Sequence, residues 1–333
     1  MNDHNGTPAY THLIDLASEV LGGKVLEAND EFFARKEGLI STRDPIFKPD
    51  EYTDRGKWMD GWETRRRRSP GHDWCILQLA VPGVIRGVDV DTSHFIGNHP
   101  PHISIEAAQA ADVREWDWTE IIPKTPIDEN SHNYLSVASE ECWEYVRLNI
   151  YPDGGVARLR VFGTVVPETS AEADSGAGGD VELTAIRNGG RVVACSDQHF
   201  GSVGNLLLPD APENMGGGWE TKRRRGPGHD WVILQLGSVG ILTRMELDTT
   251  HFKGNYPDRC SMDGCLDYDE AKSEDTDWSE VLPEQKLRPD SSHSFTEFVE
   301  EGPFSHVRMN IIPDGGVARV RIFGRKPAEE THE

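Results

Sequence analysis

Four histidines stand close to carboxylates in two matched settings. His72 precedes Asp73 and His229 precedes Asp230, while His94 and His251 each lie in an Asp-Thr-x-His-Phe segment. An imidazole oriented by a neighbouring carboxylate is a general acid or base near neutral pH, and the same residue types suit a divalent metal. The plainer reading of each is a hydrogen-bonding residue of the frame. Just upstream, Gly-Trp-Glu-Thr leads into four consecutive cations at 65–68 and again at 222–225. If such a run is extended, Arg65 and Arg67 share one face and Arg66 and Arg68 the other. A guanidinium turned into a cleft seeks a planar carboxylate. That partner is either internal, such as Glu63, Asp73 or Asp91, or a small anionic ligand; otherwise the run is a solvated cluster with structural ion pairs. No His-Glu-x-x-His, Gly-x-Ser-x-Gly, Walker or dinucleotide pattern is present.

These groups belong to a duplicated chain. Residues 61–79 (GWETRRRRSPGHDWCILQL) and 218–236 (GWETKRRRGPGHDWVILQL) agree at 16 of 19 positions with an offset of 157. Residues 91–100 match 248–257 at the same offset, and 147–163 match 308–324 at an offset of 161. The four additional residues of the second copy are expected in a loop at 260–277. Between the copies, PETSAEADSGAGGD at 167–180 is small, polar and acidic, which reads as a linker. The expected organisation is a segment 1–22, a repeat 23–166, a linker 167–180, a repeat 181–326 and a tail 327–333. Within each copy the signals are for strands, with runs at 74–79, 84–91, 146–150 and 156–162 bounded by Gly and Pro. Pro-Asp-Gly-Gly at 152–155 reads as a hairpin turn. Trp62, Trp74, Trp219 and Trp231 read as core anchors, and residues 12–21 carry a short helical period. Many short strands in about 145 residues predict an all-β chain of two tandem jelly-roll β-sandwiches.

Composition narrows the function classes. The 333 residues carry a net charge of −23, which repels nucleic-acid phosphate and anionic membranes. No apolar run approaches the roughly 20 residues of a membrane span, and no signal segment is seen at the N-terminus. Five cysteines without a Cys-x-x-Cys pair argue against a disulfide framework or a thiolate zinc site. A cytoplasmic protein acting on a small molecule is expected.

Long composite motifs then point to a family. Asp30-Glu31-Phe32-Phe33-Ala34, the stretch 56–64 (GKWMDGWET), Pro70-Gly71-His72-Asp73-Trp74 and the stretch 91–98 (DTSHFIGN) resemble allantoicase, in order and in both copies. The resemblance implies a tandem jelly-roll fold of the galactose-binding-like type. It also implies hydrolysis of allantoate to ureidoglycolate and urea in purine breakdown, and homo-oligomers. The second copy departs by having Met-Gly-Gly where the first has Lys-Trp-Met-Asp, so the copies are not expected to be equally active. Allantoate carries a carboxylate and two ureido groups on one carbon, so arginine and amide contacts suit it. On this likeness Glu63, His72, Asp73 and His94 are candidates for acid–base or orienting roles. Arg67 is the candidate carboxylate anchor and Asn98 an amide contact. Glu220, His229, Asp230, His251, Arg224 and Asn255 are their counterparts. No cofactor is specified, and a divalent metal is compatible with the residue types. The rival from another class is a non-catalytic tandem module that binds a carbohydrate or other ligand.

Overall fold

The computed structural model describes residues 7–109, 117–167, 180–269 and 275–327. The chain divides into two compact units, Met1–Val166 and Pro167–Glu333, and residues 168–179 of the expected linker lie outside the described residues. The first unit has strands β1 (Ile14–Asp15), β2 (Lys24–Ala28), β3 (Tyr52–Thr53), β4 (Gly56–Lys57), β5 (Trp62–Glu63), β6 (Asp73–Asp91), β7 (His102–Ala108), β8 (Thr119–Pro126), β9 (His132–Ser136), β10 (Cys142–Tyr151), β11 (Gly155–Val156) and β12 (Arg158–Val165). The second unit repeats this plan around Asp230–Asp248, the counterpart of β6.

The runs at 74–79 and 84–91 are one 19-residue strand, β6, which belongs to both layers of the sandwich. Its first half pairs with β2 on one side and β10 on the other, and β10 continues to β7 and β8. Its second half pairs with β9 and with β12, which continues to β1. Alternate residues of both halves point inward. Cys75, Leu77, Val88 and Val90 are fully buried, together with Ile103, Leu148, Leu159 and Val161 from their partners. The same positions in the second unit form one apolar cluster that joins Leu234, Met309 and Met262 of one layer to Leu247 and Val320 of the other.

Four expectations are corrected. The strands around Pro-Asp-Gly-Gly do not form a hairpin, because β10 and β12 pair with opposite halves of β6 and the turn carries the chain from one layer to the other. Turn chemistry marks a change of direction, not the partner that follows. Residues 12–21 give the end of a 3₁₀ turn at Ala9–His12, then β1 and a second 3₁₀ turn at Glu19–Leu21, and no α-helix occurs among the described residues. Of the four tryptophans, Trp62 and Trp219 are fully buried, whereas Trp74 and Trp231 lie half-buried at positions that alternate with the core row of their strand. The Thr92–Ser131 hydrogen bond recurs as Thr249–Ser291. The offset there is 160, so one of the four additional residues of the second copy falls beyond the loop expected to hold them all.

Candidate functional site

Each of the singled-out residues lies in the loops and strand ends at one end of its sandwich. Strand β5 pairs with β11, placing Glu63 opposite Gly155. Trp62 fixes this strand by burying its indole and donating Nε1–H to the Asp30 carbonyl at 2.8 Å. Gly155 donates its N–H to the Asn98 carbonyl at 2.8 Å. A Cβ on Gly155 would sit 2.0 Å from the Phe95 ring, so only glycine lets the turn close on the 92–100 loop. That closure brings Asn98 Nδ2 to Glu63 Oε1 at 2.9 Å, and the second copy repeats it with Asn255 and Glu220 at 2.7 Å. Burial pushes the Glu63 carboxyl above the usual carboxylate range, and the Asn98 bond offsets this only in part.

His94 occupies the left-handed region at φ 72°, a conformation that β-branched residues avoid, and donates its backbone N–H to Asn130 Oδ1 at 2.8 Å. Its Nε2 lies 3.1 Å from the Pro45 carbonyl. A carbonyl only accepts, so Nε2 carries the hydrogen and the lone pair of the neutral ring is on Nδ1. His251 has the same φ and the same bond, 2.9 Å to the Pro212 carbonyl.

The arginine run behaves as extended chain. Arg65, itself exposed, pairs with Asp30 at 2.7 Å and the half-buried Arg67 with Asp73 at 2.5 Å, while Arg66 and Arg68 are exposed. Asp73 is almost fully buried at the head of β6 and also accepts from Asn29 Nδ2 at 2.8 Å. The second copy pairs Arg224 with Asp230 and Lys222 with Asp197. Both arginines of one face therefore meet carboxylates of the protein itself, but only Arg67 is turned inward. His72 packs its ring against Tyr151 with centroids 4.7 Å apart, and His229 Nε2 lies 3.2 Å from Asn310 Oδ1. The predicted residues thus fall into two groups: Glu63, Asn98 and His94 around the 92–100 loop, and Arg67, Asp73 and His72 around the start of β6. The turn at 152–155 lies between them, since Asp153 accepts the Arg67 backbone N–H at 2.7 Å while Gly155 binds Asn98.

The copies differ where it matters for a ligand. Pro45 and Pro212 accept from His94 and His251, and the Asp60 and Gly217 carbonyls accept from Arg158 and Arg319. Between these matched points the first copy is longer by ten residues. The insert contains the β3–β4 hairpin, and both of its ends are held by Arg158, a 2% exposed guanidinium bonded to the Arg43 carbonyl and to Asp60 Oδ2, each at 2.9 Å. It brings Phe47, Lys57 and Met59 opposite His94, Ile96 and Asn98 around a cavity of about 330 Å³, within the range of small-molecule sites. Lys57 Nζ stands 4.2 Å over the Phe47 ring, and no carboxylate among the described residues pairs with it. In the second copy, Asn214, Met215 and Gly216 take the places of Lys57, Trp58 and Met59. Met215 Sδ there rests 3.8 Å from Asn255 Nδ2.

Sequence reasoning did not single out Lys57, Phe47, Met59 or Ile96. The signal available was the Lys-Trp-Met-Asp segment that the second copy lacks. The sequence places Arg158 on the face away from the core, yet the insert folds over that face and buries it. Among the described residues no three His, Cys, Asp or Glu side chains gather at one point. The cavity's imidazole and the neighbouring carboxylate fall short of the three or four protein ligands of a typical zinc site.

Comparison with known proteins agrees with this architecture. The family profile described as Allantoicase repeat matches residues 14–166 and 181–327. A Burkholderia mallei protein named probable allantoicase 1 is 47% identical over 332 residues, covering 97% of this chain and 98% of its own. A Pseudomonas aeruginosa probable allantoicase is 46% identical over 324 residues, covering 95% and 97%. The crystal structure of allantoicase from Saccharomyces cerevisiae superposes with a TM-score of 0.79 at 36% identity, covering 94% of this chain and 93% of that one.

Proposed function

The chain belongs to the allantoicase family, and we propose that it hydrolyses allantoate to ureidoglycolate and urea at the cavity of its first repeat, in the breakdown of purines through allantoin for nitrogen use. The observation that carries the siting is the Glu63 carboxyl, pushed up by burial and joined through Asn98 to the wall of the cavity that the first copy's insert closes.

The bond that breaks joins the central carbon of allantoate to a ureido nitrogen. Glu63 in its acid form donates a proton to that nitrogen, so urea departs neutral. The lone pair of the remaining ureido nitrogen assists departure and leaves an acyliminium carbon. Water adds to this carbon and gives its proton to His94, whose Nδ1 lone pair is free because Nε2–H is held by Pro45. Proton return from His94 to Glu63 restores the site, and the net change is one water consumed for one urea released. Asn98 orients Glu63. The Arg67–Asp73 pair and His72 hold the neighbouring loop and the turn at 152–155, which support Asn98 in place. In the second copy Glu220, His251 and Asn255 keep the matching bonds, but Asn214 stands at the place of Lys57 and Lys253, at the place of Ile96, is paired with Asp290; Arg224, Asp230 and His229 retain the loop-holding role. Homo-oligomeric assembly and a cytoplasmic location form part of the same proposal, on the family likeness.

Incubation of the purified protein with allantoate, following urea and ureidoglycolate together, tests the activity. Stoichiometric release of both is expected. Absence of urea alongside saturable sugar binding would replace the enzyme by a binding module.

A further inference from the structure

We infer that Lys57 anchors the carboxylate of the substrate and that the first repeat is the only one that takes it up; both statements rest on the allantoicase reading above. Allantoate is an anion, and the chain it approaches carries a net charge of −23, so a local cation is required to hold it. The nearby arginines are either engaged or outside the cavity: Arg55 bonds the Phe32 carbonyl, and Arg66 and Arg68 are exposed and do not line it. Arg65 and Arg67 are paired with Asp30 and Asp73, and Arg158 is buried against carbonyl oxygens and Asp60. Lys57 remains, and of the six side chains that line the cavity it alone is a permanent cation.

Its setting is that of a charge waiting for a partner. The ammonium lies over the Phe47 ring at 4.2 Å, which favours its position without neutralising it. The stem belongs to β4, one arm of the insert hairpin, and Arg158 ties both ends of that insert to the sandwich. Lys57 and the pair His94 and Asn98 come from different segments and line the same cavity. A carboxylate bound at Lys57 therefore leaves the two ureido arms for the wall that leads to Glu63. The second copy keeps the acid and its amide partner but has Asn214 in place of Lys57, and its Met215 lies against Asn255. Its one cation on the matching loop, Lys253 at the place of Ile96, is already paired with Asp290 at 3.8 Å, so the second copy retains the acid without an uncommitted cation at the place of Lys57.

The test uses the full-length protein, its K57M and K57R variants and two probes besides allantoate. N-carbamoylglycine carries one carboxylate and one ureido group and has no second ureido group to lose; N-carbamoylglycinamide is its neutral counterpart. Calorimetry of wild type with N-carbamoylglycine is expected to give one site per chain. K57M is expected to weaken that binding, and to raise KM for allantoate, by about 10- to 150-fold, the range of a hydrogen bond to a charged group. Binding of the neutral amide is expected to be unchanged, and K57R to recover most of the loss. Two sites per chain would overturn confinement to the first repeat. Unimpaired K57M, or equal loss for both probes, would overturn the anchor. A wild-type protein that releases no urea from allantoate defeats the activity reading instead, so the two failures are told apart.

Discussion

Replacing Glu63 by glutamine separates its chemical role from its structural one. Glutamine preserves the oxygen that Asn98 Nδ2 meets at 2.9 Å, and nearly preserves the volume, but cannot act as an acid. If Glu63 protonates departing urea, E63Q lowers kcat by about 10²- to 10⁴-fold, or roughly 3–5 kcal/mol of barrier. KM should change little, since the lost interaction develops only as the bond breaks. Stability moves in the opposite sense. Burial raises the Glu63 pKa in the folded chain, so folding favours the protonated form. The stability this confers is fully present below the ordinary glutamate value of about 4.3 and is lost as pH rises through the raised folded value. Glutamine mimics the protonated state at every pH. The variant should therefore melt at or above the wild-type Tm at pH 7 and match it near pH 4. In the wild type, kcat/KM should fall as pH rises through the folded Glu63 value, and this alkaline limb should disappear in E63Q. Urea release across a pH series, with thermal melts at the same values, checks both halves. The matching change E220Q should leave turnover close to wild type. A normal kcat in E63Q, or a loss in E220Q as large as in E63Q, would refute the reasoning.

Other consequences follow from the frame. Arg158→Ala removes a buried cation from Asp60 and three carbonyls and should cost about 3–5 kcal/mol, seen as a lower urea midpoint with a higher KM as the insert comes loose. Gly155→Ala drives a Cβ to 2.0 Å from the Phe95 ring and should destabilise the first unit by about 1–3 kcal/mol in a denaturant titration. His132 donates or accepts through Nδ1 at 2.7 Å from Asp89, a bond absent from the second copy, where Ser292 and Glu246 take their places. Burial lowers the His132 pKa, but the Asp89 bond and the Asp89, Asp91 and Asp44 charges raise it further, and burial also raises Asp89. The His132 shift gives stability that is present below the ordinary histidine value of about 6.5 and lost as pH rises through its folded value, whereas that from the Asp89 shift is present only below the ordinary aspartate value of about 3.9 and is lost as pH rises through its own folded value. The Tm difference between wild type and H132N should be largest near pH 5–6 and shrink towards pH 9.

Much of the frame is legible from residues alone. The duplication, the strand-rich sandwich and the inward row of Cys75, Leu77, Val88 and Val90 follow from repetition and period-two patterning. Extended-chain alternation places Arg65 and Arg67 on one face, but it leaves open whether their partner is a protein carboxylate, a ligand or solvent. What could not be read is anything set by chain segments far apart in sequence. No local signal says that β6 serves two layers, or that the turn at 152–155 crosses between them. Nor does periodicity show that an insert will fold over Arg158, because a row facing away from the core is normally a solvated row. The cavity depends on that same folding-over, which is why Lys57 escaped notice while the histidines did not.

Recurrence in both copies does not by itself separate chemistry from framework, for a physical reason. A duplicated sandwich must close the same strand ends, bury the same tryptophan and fasten the same turn, so the residues doing this are kept twice. Arg67 with Asp73, Thr64 with Gly154, and His94 with Pro45 all have counterparts with matching bonds in the second copy. Glu63 and Asn98 also recur, because their bond seats the 92–100 loop. The acid was thus available in both copies as part of the frame. A frame acid becomes a catalytic one only where something else confines a substrate beside it, and the ten-residue insert does so once. It adds a cation, an aromatic bed for it and an apolar wall, and it anchors them to a buried arginine that the second copy also has but uses only to fasten a short turn. The proposed siting therefore rests on the feature that distinguishes the copies rather than on the motif that unites them.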